Sequence, residues 1–190
     1  MTVSFLDYLQ RVGSVPAADQ AALLAAWRPR RVRSGEWLLE PGQVAQDLFL
    51  VAEGVLRVGR QLLQGPEATY FFAQAHELCT VLPSFSGQRP ALAGVQAACP
   101  TQVLALARPQ LDQLCQQFAY LPGLLHQLST QALLRKLAWR NAYQGLDARA
   151  RYALFLAQQP AVARPVPLGL IASYLGITSQ SLSRLRKPGS

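Results

Sequence analysis

Residues 167–187, PLGLIASYLGITSQSLSRLRK, read as two short helices joined by a glycine turn and ending in a basic, hydroxyl-rich face. Leu170, Ile171 and Leu175 fit one side of a first helix, Gly176 supplies the permissive backbone of a sharp bend, and Thr178 is a good N-cap for a second helix. Leu182 and Leu185 then point inward. The outward positions Ser179, Gln180, Ser183, Arg184 and Lys187, with Arg186 beside them, carry side chains suited to base edges and phosphates. This is the pattern of a helix-turn-helix, and its competitor is an ordinary helical hairpin.

Charge separates the two readings. Residues 1–130 contain nine Arg against nine Asp or Glu, whereas residues 131–190 contain nine Arg or Lys against Asp147 alone. The whole net charge of +8 therefore lies in the last third, the part that holds the helix-turn-helix pattern. A neutral body with a basic end predicts a module for polyanions, with double-stranded DNA as the partner, attached to a part with another task.

Cys79, Cys99 and Cys115 are far apart and include no CxxC pair, so no disulfide framework, zinc knuckle or iron–sulfur cluster is expected. The first residues, MTVSFLDYLQRVGSV, lack the apolar run of a signal peptide, and no run of about 18 apolar residues occurs. The expectation is a cytoplasmic protein with no membrane partner, no metal and no cofactor beyond an unknown small-molecule effector.

Working back from the basic end, residues 148–159 predict a helix capped by Asp147 and ended by Pro160, followed by a proline-rich connection over 161–167. Residues 120–142 form a long periodic segment. Leu121, Leu125, Leu128 and Ala132 make one apolar stripe, which Leu124, Leu133, Leu137 and Ala138 broaden beyond what one neighbouring domain usually covers; the stripe is expected to form a homodimer interface, the alternative being packing against the chain's own roll only. Upstream, between Arg31 and Leu106, about eight short apolar or alternating runs are punctuated by Gly and Pro, as in Gly54-Val55-Leu56-Arg57-Val58-Gly59 and Thr69-Tyr70-Phe71-Phe72. Eight such runs are enough for a jelly roll. Two helices, over 3–12 and 17–27, open the chain. The fold class is α+β, with an antiparallel β jelly roll and its flanking helices over 1–118, a dimerisation helix over 119–144 and a helix-turn-helix domain over 145–190.

In this order the elements resemble the Crp/Fnr superfamily of bacterial transcription regulators. The family's DNA-reading segment commonly runs IA-x-x-LG-[IL]-T-x-x-[TS]-[LV]-SR, and Ile171-Ala172-Ser173-Tyr174-Leu175-Gly176-Ile177-Thr178-Ser179-Gln180-Ser181-Leu182-Ser183-Arg184 follows it closely. Gly35-Glu36, Glu40-x-Gly42, Leu48-Phe49-x-Val51 and Gly54 match its turn-strand-turn spacing. The resemblance implies a homodimeric, sequence-specific regulator with RNA polymerase as a further partner. It also implies an effector site at His76, Glu77, Leu78 and Arg89.

That site departs from the pattern. Members that bind cyclic AMP resemble FGEL followed by an Arg next to Ser, Thr or Ala, with the glutamate on the ribose and the arginine on the phosphate. Here His76 stands where the glycine is expected, and Arg89 is followed by Pro90, which has no amide hydrogen. Anchoring on Val95 instead puts Ala91 at the arginine position. The chain resembles a subgroup with a degenerate phosphate cassette, whose effector is not cyclic AMP.

Two other functions compete. A cyclic-nucleotide-responsive module acting on a partner protein leaves the basic end unexplained. A cupin enzyme needs several histidines and a carboxylate, and the chain holds two histidines in all. No catalytic triad, paired-carboxylate motif or phosphate-binding loop is present, so no enzyme is expected.

Overall fold

Among the described residues, eight strands form two antiparallel sheets whose apolar faces share one core. The computed structural model describes residues 5–10, 13–60 and 67–186. The strands are β1 (Arg28–Val32), β2 (Trp37–Leu39), β3 (Asp47–Glu53), β4 (Val55–Arg60), β5 (Ala68–Gln74), β6 (Leu78–Cys79), β7 (Gly94–Ala97) and β8 (Thr101–Ala107). One sheet has the order β1-β8-β3-β6 and the other β2-β7-β4-β5. The runs read as strands in the sequence are strands, and their arrangement is the expected roll.

Residues 48–51 of β3 are all buried because that strand lies inside its sheet, paired with β8 on one side and β6 on the other. The basic strip that the sequence places just ahead of the roll is itself strand β1. It lies at a sheet edge, where Arg28, Pro29, Arg30 and Arg31 are exposed and Val32 turns inward. Charge and proline on an edge strand discourage pairing with another chain.

The helices are α1 (Phe5–Leu9), α2 (Gln20–Ala25), α3 (Leu82–Gly87), α4 (Arg108–Gln117), α5 (Leu121–Ala142), α6 (Ala148–Gln158), α7 (Pro160–Ala163), α8 (Leu168–Leu175) and α9 (Ser179–Arg186). Helices α4 and α5 each carry proline in the first turn, where the missing N–H has no intrahelical partner to lose. The same reason corrects the reading of 161–167 as a plain connection. Pro160 opens α7, and Val162 is buried in the second core. Asp147 caps α6 as expected, its carboxylate accepting from Ala150 N at 2.8 Å.

A second core joins the C-terminal helices to the roll. Phe155, Ile171, Leu175 and Leu182 pack with Val55, Phe72, Ala98 and Cys99 from the strands. Tyr174 of α8 is the hinge of this contact, its ring centroid 5.2 Å from Phe72 of β5 and 5.8 Å from Phe155 of α6. Ser173 adds polar ties, accepting from Thr69 N at 2.9 Å and donating to Glu67 O. The buried Gln159 amide donates to the Tyr174 hydroxyl at 3.1 Å.

Candidate functional site

Helix α8 ends at Gly176, whose φ of 68° is the left-handed conformation that glycine adopts without penalty. Arg151 closes the same end by donating to Leu175 O at 2.7 Å, so this cation is committed to structure although it adds to the basic count. Two residues on, Thr178 Oγ1 accepts from Ser181 N at 3.1 Å and starts α9. Leu182 is fully buried and Leu185 half-buried, which fixes the rotation of the helix. Ser179, Gln180, Ser183 and Arg184 are all exposed, and their spacing puts them on one side of α9. Thr178 and Arg186 are exposed beside them. Lys187, the remaining expected contact, lies outside the described residues.

Of the expected effector residues, Glu77 and Arg89 make separate contacts. His76 adopts φ of 71°, so the position does take the backbone conformation of the glycine it replaces. Glu77 is buried, but its carboxylate is occupied by the chain itself. One oxygen accepts from Arg135 of α5 at 2.6 Å and the other from Gln74 N at 3.2 Å. Arg89 is exposed; its carbonyl accepts from Ser84 Oγ at 2.6 Å. Ala91, the alternative position, is buried and carries no charge.

Of the four expected residues, Leu78 lines a cavity of about 460 Å³ between the roll and α5. Its walls are mainly apolar, and its charged lining group is Lys136 of α5. The Lys136 ammonium stands 3.4 Å from the centroid of the Phe71 ring, and burial holds its pKa below the ordinary lysine value. Cys79 also lines the cavity, and burial pushes its thiol up to about 12.

The stripe expected at a dimer interface is divided between the chain's own core and the cavity. Leu121 and Leu128 are 0% and 3% exposed within the chain's own core, while Leu125 and Ala132 line the cavity. Leu121 and Leu128 thus seat α5 on its own roll, while Leu125 and Ala132 stay half-buried. The apolar surface that α5 presents outward consists of Leu133, Leu134 and Leu137, at 58%, 60% and 45% exposure.

Arg135 and Lys136 escaped the sequence reading as site residues, though a signal existed. Lys136 falls four residues after Ala132, on the inward stripe, and a cation on an apolar stripe marks a place where charge is held on purpose. Arg57 escaped it too. Fully buried on β4, it donates to Gln96 at 2.5 Å and Thr69 at 3.3 Å and pairs with Glu67 at 2.5 Å.

A β-roll with an open cavity in its side, a long helix beside it and a helix-turn-helix at the end together define the fold. Residues 29–118 match the family model of the cyclic nucleotide-binding domain. The fold is similar to that of FixK2 from Bradyrhizobium japonicum, at 18% identity and TM-score 0.72, over 84% of this chain and 82% of that one. The c-di-GMP responsive global regulator CLP of Xanthomonas campestris is similar at 18% identity and TM-score 0.70, over 90% and 89% of the two chains. The catabolite activator protein of Thermus thermophilus is 25% identical with TM-score 0.56, over 94% and 84%. No curated protein sequence matches the chain. Residues 29–118 thus form a cyclic nucleotide-binding domain, and the chain, with its helix-turn-helix after the roll, has the fold of these solved structures. Among the described residues no helix is long and apolar enough to cross a membrane.

Proposed function

We propose that this chain is a sequence-specific transcription regulator that binds duplex DNA as a homodimer and whose roll answers to a small molecule other than cyclic AMP. The observation that carries the reading is the exposed face of α9, where Ser179, Gln180, Ser183 and Arg184 stand free on a helix anchored by Leu182. Arg184 suits bidentate contact with guanine and Gln180 with adenine, while Arg186, with Lys187 beyond it, serves phosphates. The second copy docks along α5 through Leu133, Leu134 and Leu137, so that two α9 helices meet half-sites about 34 Å apart. RNA polymerase is a further partner if the chain acts as an activator, and no catalytic step is assigned to the chain.

Selection from a random duplex pool tests the reading. The expected product is a two-fold symmetric site with half-sites one helical turn apart, bound with an affinity that falls steeply with salt. Recovery of no enriched sequence would contradict it.

A further inference from the structure

We propose that the cavity between the roll and α5 binds a small apolar monoanion, a carboxylate on a hydrocarbon body, with its charged end on Lys136. The inference deepens the sensor reading above and rests on it for its regulatory meaning, but not for the binding event. The cavity is large enough, at about 460 Å³, for an ordinary small-molecule ligand. Its walls include Leu48, Phe71, Phe85, Leu111 and Leu125, which offer a hydrocarbon body contact and offer a sugar or a base edge almost no hydrogen bonds. Tyr70, Leu82 and Leu133 line it while remaining exposed, so the cavity opens to solvent through apolar and aromatic side chains.

The charge pattern selects the head group. Lys136 is held against the Phe71 ring, and among the described residues no carboxylate lies within 4 Å of it. Glu77, the nearby acid, is engaged by Arg135 at 2.6 Å. A cation kept partly out of water, with Glu77 acting on it only from beyond 4 Å, is unfavourable, and a ligand carboxylate relieves that cost. A cyclic nucleotide fits poorly on both counts. Glu77 and Arg89, which the resemblance assigns to ribose and phosphate, do not line the cavity. Thr80, Ser86 and Ser129 lie in the wall and are too few to replace the hydration of a sugar phosphate.

Calorimetric titration of the full chain, without DNA, tests the proposal with octanoate, nonanoate, decanoate, decanol and 3′,5′-cyclic AMP. Saturable one-to-one binding of decanoate is expected, with affinity rising roughly fourfold per added methylene. Decanoate should bind roughly tenfold tighter than decanol or better, the margin of a charge-assisted contact. Lys136→Met keeps the volume of the side chain and should abolish that margin while decanol binding persists. Ala132→Phe, which fills the cavity from α5, should abolish both. Failure of decanoate to bind, a margin that survives Lys136→Met, or decanoate displaced by cyclic AMP would each overturn the proposal. Because no DNA is present, a chain that binds decanoate but no duplex refutes the regulator reading and leaves the cavity assignment standing. A chain that binds duplex but not decanoate does the reverse.

Discussion

Removing Arg135 should destabilise the protein more than removing Glu77, although the two form one ion pair. The pair spans 2.6 Å, with the arginine side chain 43% exposed and the glutamate 10% exposed. In Glu77→Ala the guanidinium swings into water, and the loss is one charge-assisted hydrogen bond plus the cap on Gln74 N. A charge-assisted bond contributes about 1.5–3 kcal/mol, the lower end applying to a half-exposed partner, and the stranded amide adds about 1. The sum is about 2–3 kcal/mol. In Arg135→Ala the carboxylate stays buried without its partner, which costs about 3–5 kcal/mol in comparable sites. Urea denaturation of both single variants and the double variant measures the difference. The double variant should lie near Glu77→Ala alone, because removing the acid removes the penalty. An Arg135→Ala loss smaller than that of Glu77→Ala would show that the pair is open to water and that Glu77 remains available for a ligand.

Three further outcomes follow from the packing. Leu134→Glu with Leu137→Glu should give a folded monomer in sedimentation and weaken DNA binding, whereas Leu128→Glu, which buries a charge in the roll core, should lower the thermal midpoint instead. Ser173→Ala removes the polar ties from α8 to Glu67 and to Thr69 of β5, about 1 kcal/mol each, and hydrogen exchange should rise at Thr69 N with little change in the roll core. A thiol reagent at pH 8 should modify half-buried Cys115 well before Cys79, since the raised pKa of about 12 keeps the Cys79 thiol protonated and unreactive; rapid labelling of Cys79 would show that the cavity is wetter than its lining implies.

Much of the fold was legible because each element carries its own punctuation. Gly176, Thr178 and Asp147 mark helix ends by backbone chemistry that acts locally, and the short runs between glycines mark strands in the same way. What stayed hidden depends on pairs distant in the chain. The stripe Leu121, Leu125, Leu128 and Ala132 announces a buried face but not which surface covers it, and for Leu121 and Leu128 the chain's own core does so. The Glu77–Arg135 pair joins residues 58 positions apart, and the Ser173–Glu67 contact joins residues 106 apart. No periodicity registers such contacts. The departure at the phosphate cassette was readable from His76, Arg89 and Pro90, yet the cavity's own charge, Lys136, required the register of α5 against the roll.

The most direct measurement of the central claim, that α9 reads DNA sequence, is the binding of wild-type protein and Arg184→Ala to a selected site and to a scrambled duplex at one salt concentration. If Arg184 contacts a base edge, the substitution costs about 1–3 kcal/mol on the selected site, relaxes discrimination at one base pair and changes scrambled-duplex binding far less. Equal losses on both duplexes would contradict the account and reduce α9 to a phosphate-binding surface.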